Sequence, residues 1–390
     1  MVGLLVAAGI VAAAHVGKVP PSLPSIRDTL GASLEQAGWL LSMVNLTAAL
    51  GGMVIALTVD RIGHRRLVVF GTALCAGASL LGGLADSIDR LLLWRFFEGL
   101  GFIVVTVSAP TLLLRVTRPA DRQRAMTFWT AYMPAGAGAM MLAAAAILPG
   151  TTWRTVWFVA AALSLIMLLA LLRFAVPRRD LDRAPAARRP ILHEIAEVAT
   201  APGPLAIAVC FGAYSSCWFA IVGFLPTLQV ERLGFSPALA AIVTAAVTMA
   251  NVTGNLAAGW LLHRGVPRGP LIAVSAVLMA FCAAGVFLDG VPDLVRLALA
   301  VVYSAVIGVV PGALFTGLAV HAPRPELVGA STGLLMQGSN LGGLVGPPVT
   351  GALVAAGGWP AAAGLTSVAL GIVALAGLFL HWRERRRVEG

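Results

Sequence analysis

Residues 160–172 read AAALSLIMLLALL, a run whose one polar side chain is the hydroxyl of Ser164. A helix at the surface of a soluble protein keeps a polar face, and a strand of a membrane barrel alternates polar with apolar positions. This run does neither, so it reads as a helix set in hydrocarbon, where every backbone group must be satisfied within the segment. The rest of the chain agrees. Of its 390 residues 59% are hydrophobic and only 11% charged, with a mean hydropathy of +0.90. Soluble proteins carry about 25% charged residues. Crossing the hydrocarbon takes ~20 apolar residues per helix. Such segments fall at roughly 3–25, 36–58, 67–86, 90–114, 124–148, 152–176, 204–229, 236–262, 269–288, 293–319, 327–355 and 358–382. The expected fold class is an all-α membrane protein of twelve transmembrane helices. The first segment exceeds signal-peptide length and lacks a basic start, so no cleaved leader is expected.

A net charge of +10 invites a nucleic-acid reading, but the positions of the charges argue for topology. All basic residues except Lys18 are arginines, and they gather in alternate loops. One face collects Arg61, Arg65, Arg66, Arg115, Arg118, Arg122, Arg124, the arginines of residues 173–189, Arg264, Arg268, Arg324 and the C-terminal group from Arg383. The other has Arg27, Arg90, Arg154, Arg232 and Arg296. The positive-inside rule puts the first set, and both termini, in the cytoplasm. Cys75, Cys210, Cys217 and Cys282 sit in apolar runs without a CxxC pair and read as small core residues.

Landmarks recur at a near-constant offset. Leu23-Pro24 returns as Leu225-Pro226, Leu30-Gly31 as Leu233-Gly234, Arg118-Pro119 as Arg324-Pro325, and Trp153 as Trp359. Two parallel six-helix halves are therefore expected, 1–176 and 204–390, the second ending in a basic tail. A proline- and arginine-rich cytoplasmic linker, 177–203, joins them. Leu23-Pro24 and Leu225-Pro226 are expected to end the first and seventh helices. Pro347-Pro348 should break the eleventh.

The loop after the second helix reads Asp60-Arg61-Ile62-Gly63-His64-Arg65-Arg66. Gly63 permits a tight turn, and Asp60, Arg61 and Arg65 can pair with charges or helix ends to latch the cytoplasmic side. This loop resembles the signature of the major facilitator superfamily, with Ala56 where the family usually has glycine and His263 where the second half would repeat the acid. In the fourth helix Leu91, Arg95, Glu98, Gly99 and Gly101 resemble a second motif of the superfamily. Pro134, Gly136 and Gly138 match part of its exporter motif; a bend with close packing explains them equally. The stretches LPSIR, GWLLSM and GFLPTLQVERLGFS are similar to bacterial permeases related to the cyanate and nitroimidazole transporters. The resemblance implies the major facilitator fold and solute transport by alternating access.

Within that frame the first half concentrates charge. Lys18, the sole lysine, lies inside a spanning segment softened by Gly17, Pro20 and Pro21, with His15 one turn before it. Lys18 is either a snorkelling residue or a cationic lure for an anion. His15 is either a satisfied core residue or a ligand and proton carrier. Arg95 and Glu98, three apart, share a helical face as a structural pair or as a coupling pair. The second half offers neutral groups: Tyr214, a stripe of Thr244, Thr248, Asn251 and Asn255 on the eighth helix, and Gln337 with Asn340 on the eleventh. Gly338, Gly342 and Gly346 form a ridge suited to close helix contact.

The expected substrate-binding set is His15, Lys18, Arg95, Tyr214, Asn251, Asn255, Gln337 and Asn340. Glu98 and His15 are the proton-coupling pair, and Asp60, Arg61 and Arg65 the gate. No enzyme is expected: His193-Glu194 starts an HExxH-like string, but Glu197 stands where the second histidine belongs, and there is no Walker loop. The expected activity is that of a permease of the bacterial inner membrane. It works as a proton symporter or facilitator of a small anionic solute, with a drug or metabolite exporter as the alternative and a membrane-embedded sensor as a third class. The partners are the solute, protons and the lipid bilayer. No nucleic acid, metal or cofactor is expected, and the chain should act as a monomer.

Overall fold

The computed structural model describes residues 2–118, 121, 125, 129, 132–174 and 191–389. Helices account for nearly all of them, and no strand occurs among the described residues. In chain order they are α1 Val2–Gly17, α2 Val19–Leu30, α3 Leu34–Ile62, α4 His64–Gly83, α5 Ile88–Val116, α6 Tyr132–Ile147, α7 Trp153–Arg173 and α8 Ile191–Thr200. Then follow α9 Pro202–Val222, α10 Leu225–Leu233, α11 Pro237–His263, α12 Arg268–Phe287, α13 Asp293–Ile307, α14 Val309–His321, α15 Val328–Gly357 and α16 Trp359–Glu389. Ten helical stretches among the described residues are long and apolar enough to cross a membrane. The 29-residue α3 and the 30-residue α15 bring the set to the twelve spans expected from the sequence. The chain groups into two compact units. One comprises Met1–Ala186 with Leu225–Ala245, the other Ala187–Phe224 with Ala246–Gly390.

The prolines do not stop the helices where the sequence suggests. Pro20 and Pro21 fall in the first turn of α2 and Pro226 in the first turn of α10, where no helical N–H is needed. Pro24 is carried inside α2. The first and seventh spans therefore run on to Leu30 and Leu233 and stop at Gly31 (φ 65°) and Gly234 (φ 64°), left-handed positions that suit glycine. Likewise α15 passes through Pro347 and Pro348 to Gly357. In hydrocarbon an unwound segment would strand its polar groups, so the helix continues and gives up only the bonds the prolines cannot make. Some of the repeated landmarks share local geometry. Both first spans break near their middle, Gly63 and Gly265 turn with positive φ, and Trp153 and Trp359 each open a final helix.

Small residues bring backbones together. A Cβ on Gly338 would lie 2.1 Å from the Ala208 carbonyl, one on Gly342 1.8 Å from that of Gly212, and one on Gly346 2.6 Å from Ser216 Cα. The ridge of α15 thus lies against a matching four-residue repeat on α9. In the first unit Gly136 faces the Ile10 carbonyl and Gly17 faces that of Ala137, with Cβ distances of 2.1 and 2.2 Å. Gly17 and Gly136 draw α6 onto α1, and this contact holds the break at Lys18 in place.

Gly342→Ala should therefore destabilise the protein by about 1–3 kcal/mol through overpacking against backbone. Gly371→Ala, with nothing within 4 Å of its added methyl, should be neutral or slightly stabilising. Thermal unfolding of the two variants in one detergent tests this; equal melting temperatures would contradict it.

Candidate functional site

Four charged or titratable side chains meet inside the first unit, each at most 1% exposed: His15, Lys18, Arg95 and Glu98. His15 comes from the last turn of α1, and Lys18 from the α1–α2 break. Arg95 and Glu98 are one turn apart on α5. Because Pro20, Pro21 and Pro24 lack N–H groups, the carbonyls of Val16, Gly17 and Pro20 lose their usual helical donors. The Ser22 hydroxyl donates to the Lys18 carbonyl at 2.8 Å.

Glu98 is the hub. Its Oε1 accepts from Lys18 Nζ and lies 3.3 Å from His15 Nδ1, and its Oε2 accepts from Arg95 Nη1 at 2.9 Å. Lys18 Nζ also donates to Ser79 Oγ at 2.7 Å and lies 3.5 Å from His15 Nδ1 and 4.3 Å from the Trp157 ring centroid. Ser79 Oγ, from α4, donates in turn to the Trp157 carbonyl at 2.9 Å. His15 Nε2 reaches Ser164 Oγ of α7 at 2.7 Å. Arg95 Nε donates to the Leu40 carbonyl of α3 at 3.2 Å. Lys18 does not snorkel. Its ammonium ends in a pocket of hydrogen-bond acceptors and an aromatic face, and His15 is tied at both ring nitrogens. The electrically active neighbours of Glu98 and Lys18 are each other, His15, Arg95 and the Cys75 thiol. Cys75 Sγ donates to the Glu98 carbonyl at 3.6 Å. Two full cations therefore share one carboxylate.

The neutral candidates lie in the second unit. The Tyr214 phenol pairs with Asn251, whose Oδ1 accepts from Asn255 Nδ2 at 2.9 Å. The Asn251 amide is 3.5 Å from the Ser304 carbonyl. Tyr303 is fully buried beside Tyr214. Gln337 and Asn340 are half-buried on α15, next to a Ser215–Ser339 hydrogen bond of 2.6 Å. Thr244 belongs to the first unit and donates to Gln229 Oε1 at 3.3 Å. Of the expected gate, Arg65 is half-buried in the first turn of α4, and the side chains of Asp60 and Arg61 lie outside the described residues.

Several partners were not foreseen from the sequence. Ser79, Trp157 and Ser164 complete the quartet's hydrogen bonds and contacts. Arg27 of α2 forms an ion pair with Glu231 of α10, within the first unit. In the second unit Glu384 joins Arg268 and His321, the latter at 3.0 Å. Glu197 of α8 accepts from Arg324 Nε at 3.0 Å, so the residue that spoils the HExxH string ties α8 to the segment before α15. The one advance signal for these was the late reach of the helices. Glu231 and Glu384 sit just beyond the apolar segments. Among the described residues no group of three His, Cys, Asp or Glu side chains could hold a metal ion.

Comparison with known proteins agrees on the superfamily and varies in solute, from anion transporters to drug exporters. The model of the Major Facilitator Superfamily matches residues 5–338. The 3-(3-hydroxy-phenyl)propionate transporter of Escherichia coli is 26% identical over 325 residues, 78% of each chain. The "probable nitrate/nitrite transporter" of Mycobacterium tuberculosis is 28% identical over 347 residues, 85% of this chain and 83% of its own. A crystal structure of a bacterial homologue of the human lysosomal transporter Spinster, inward-facing and occupied, superposes with a TM-score of 0.80 at 18% identity. It covers 98% of this chain and 96% of that one.

The quartet makes an asymmetric stability prediction. Glu98→Gln leaves two buried cations without a counter-charge and should cost about 3–5 kcal/mol. Lys18→Met leaves the Arg95–Glu98 pair intact and should cost clearly less. Melting temperatures of the two purified variants decide this, and a larger loss in Lys18→Met would contradict the charge arrangement.

Proposed function

The chain belongs to the Major Facilitator Superfamily, and on that premise we propose that this transporter carries a small anionic solute by alternating access, coupled to protons or facilitated. The observation that carries the reading is the buried quartet, in which Lys18 and Arg95 outnumber the single carboxylate of Glu98. An ammonium in such a site keeps its charge only with a partner. An anion can compete with Glu98 for that partnership. Both relatives named above take their names from anions, a phenylpropionate and nitrate or nitrite. The likeness of the first, second and seventh segments to cyanate-type permeases points the same way.

In this reading the anion draws Lys18 from Glu98. The carboxylate stays ionised beside Arg95 while the solute is held and takes up its proton after release, with His15 at 3.3 Å as the adjoining carrier. Tyr214, Asn251, Asn255, Gln337 and Asn340 are the proposed neutral hydrogen-bonding groups for solute in the second unit. The Arg27–Glu231 pair and the Asp60, Arg61 and Arg65 loop are charge contacts that break and re-form as access alternates. The two homologous halves are residues 1–176 and 204–390, joined by the cytoplasmic linker 177–203. The chain works as a monomer in a bacterial inner membrane with both termini in the cytoplasm. Export of a drug or metabolite is the alternative, and it rests on Pro134, Gly136 and Gly138. Of these, Gly136 serves the contact of α6 with α1, which helix packing alone explains.

Uptake of radiolabelled monocarboxylates, nitrate, and neutral and cationic drugs into proteoliposomes tests the reading. Wild-type protein should move anions, Arg95→Ala should lose most of that flux while still inserting, and Lys18→Arg should keep part of what Lys18→Ala loses. Flux of drugs alone would overturn it. Asp60→Asn should slow flux with affinity nearly unchanged; equal losses in both would place Asp60 in folding or binding instead.

A further inference from the structure

The quartet fixes more than the sign of its ligand. Glu98 behaves as a resident anion. One oxygen is held by Lys18 and the other by Arg95, so one carboxylate bridges two cations. Five helices contribute, α1, α3, α4, α5 and α7. His15 stands on α1 and Lys18 at the α1–α2 break, Cys75 and Ser79 on α4, Arg95 and Glu98 on α5, and Trp157 and Ser164 on α7. Leu40 of α3 offers a carbonyl to Arg95. With His15 counted as a neutral imidazole, the site holds two positive charges and one negative, and its four titratable members are essentially sealed from solvent.

Resting on the anion reading above, we infer that the site is built for one further negative charge, so that it selects monovalent over divalent anions, with Glu98 setting that limit. A bound monoanion balances the site: two cations face two anions, each with a partner. A dianion leaves one negative charge unmatched where water does not reach, and unmatched charge is penalised far more heavily there than at a surface. Specificity then comes from a built-in repulsion as much as from attraction. The oxygens of Glu98 already occupy the faces of Lys18 and Arg95 that a second carboxylate would need. The limit can be moved by a single residue. Glu98→Gln raises the excess to two positive charges and should turn the site toward dianions. Lys18→Met removes the excess and should leave no call for an added anion.

The test uses the purified full chain in detergent and in proteoliposomes, with pairs matched in shape: benzoate and phthalate, propionate and succinate, nitrate and sulfate. Thermal stabilisation and competition with flux are read for each. For wild-type protein the divalent member of the effective pair should bind at least about tenfold more weakly. Glu98→Gln should shift that ratio toward the dianion by at least about tenfold. Lys18→Met should lose stabilisation by both. Equal wild-type affinity for both valences overturns the inference, as does a Glu98→Gln protein that keeps the wild-type ratio. Should Glu98→Gln fail to fold, the wild-type ratio and Lys18→Met still decide, since a Lys18→Met protein binding the monoanion as tightly as wild type also overturns it. Wild-type protein that binds neutral or cationic compounds and neither anion of any pair sinks the anion reading itself, and this inference with it.

Discussion

A buried charge needs a partner, and between Lys18 and Glu98 that need is met without water. Both are fully enclosed, and their pairing is what lets an ionisable side chain sit in a span at all. The helices around the pair follow from it. α1 must break where Lys18 turns inward, α5 must present Arg95 and Glu98 on one face, and α4 and α7 must offer Ser79 and Ser164 as hydrogen-bonding ends. An ion pair of this kind is weak evidence of stability, because a well-packed apolar pair of similar volume would hold the helices as well. Its presence in the hydrocarbon depth therefore argues for use.

Where the charges need partners, the backbones need room. Gly17 against Ala137 and Gly136 against Ile10 let α1 and α6 approach to backbone contact. The ridge of Gly338, Gly342 and Gly346 does the same for α15 on α9. Without a hydrophobic drive between helices in lipid, such close contact is what packs them. The prolines add local softness at little cost. Pro20, Pro21 and Pro226 occupy first turns, and Pro24, Pro347 and Pro348 remove single bonds from helices that continue past them.

Much of this was legible in the sequence, and what was not has physical reasons. Unbroken apolar runs set the number of spans, and the repeated Leu-Pro, Leu-Gly and Trp landmarks reappear as breaks, turns and helix starts, while Pro119 of the Arg-Pro pair lies outside the described residues. The sequence left the partner of Lys18 open between a bound anion and Glu98, since no carboxylate lies within four residues on its own helix, and the structure pairs it with Glu98. Ser79 and Ser164 were hidden because a hydroxyl on an apolar helix looks the same whether it serves packing or a charge. The proline readings erred because a proline ends a helix in water more readily than in lipid, where the unwound backbone has no other partner. Arg27 with Glu231 and Arg268 with Glu384 join residues more than a hundred positions apart, and no local pattern announces such a pair.

Because Lys18 is the only lysine in the chain, an amine-specific reagent has one side chain to modify, which mass spectrometry separates from an N-terminal amine. The most direct measurement is the rate at which Lys18 is modified in membranes undergoing transport, read by mass spectrometry with and without a saturating transported anion. If Lys18 leaves Glu98 to hold the solute, modification is slow without the anion, when the pair is closed most of the time, and is blocked further when the anion is bound. Modification at the same rate in both conditions would mean that Lys18 never meets the solute, and the account of the quartet as the recognition site would fail.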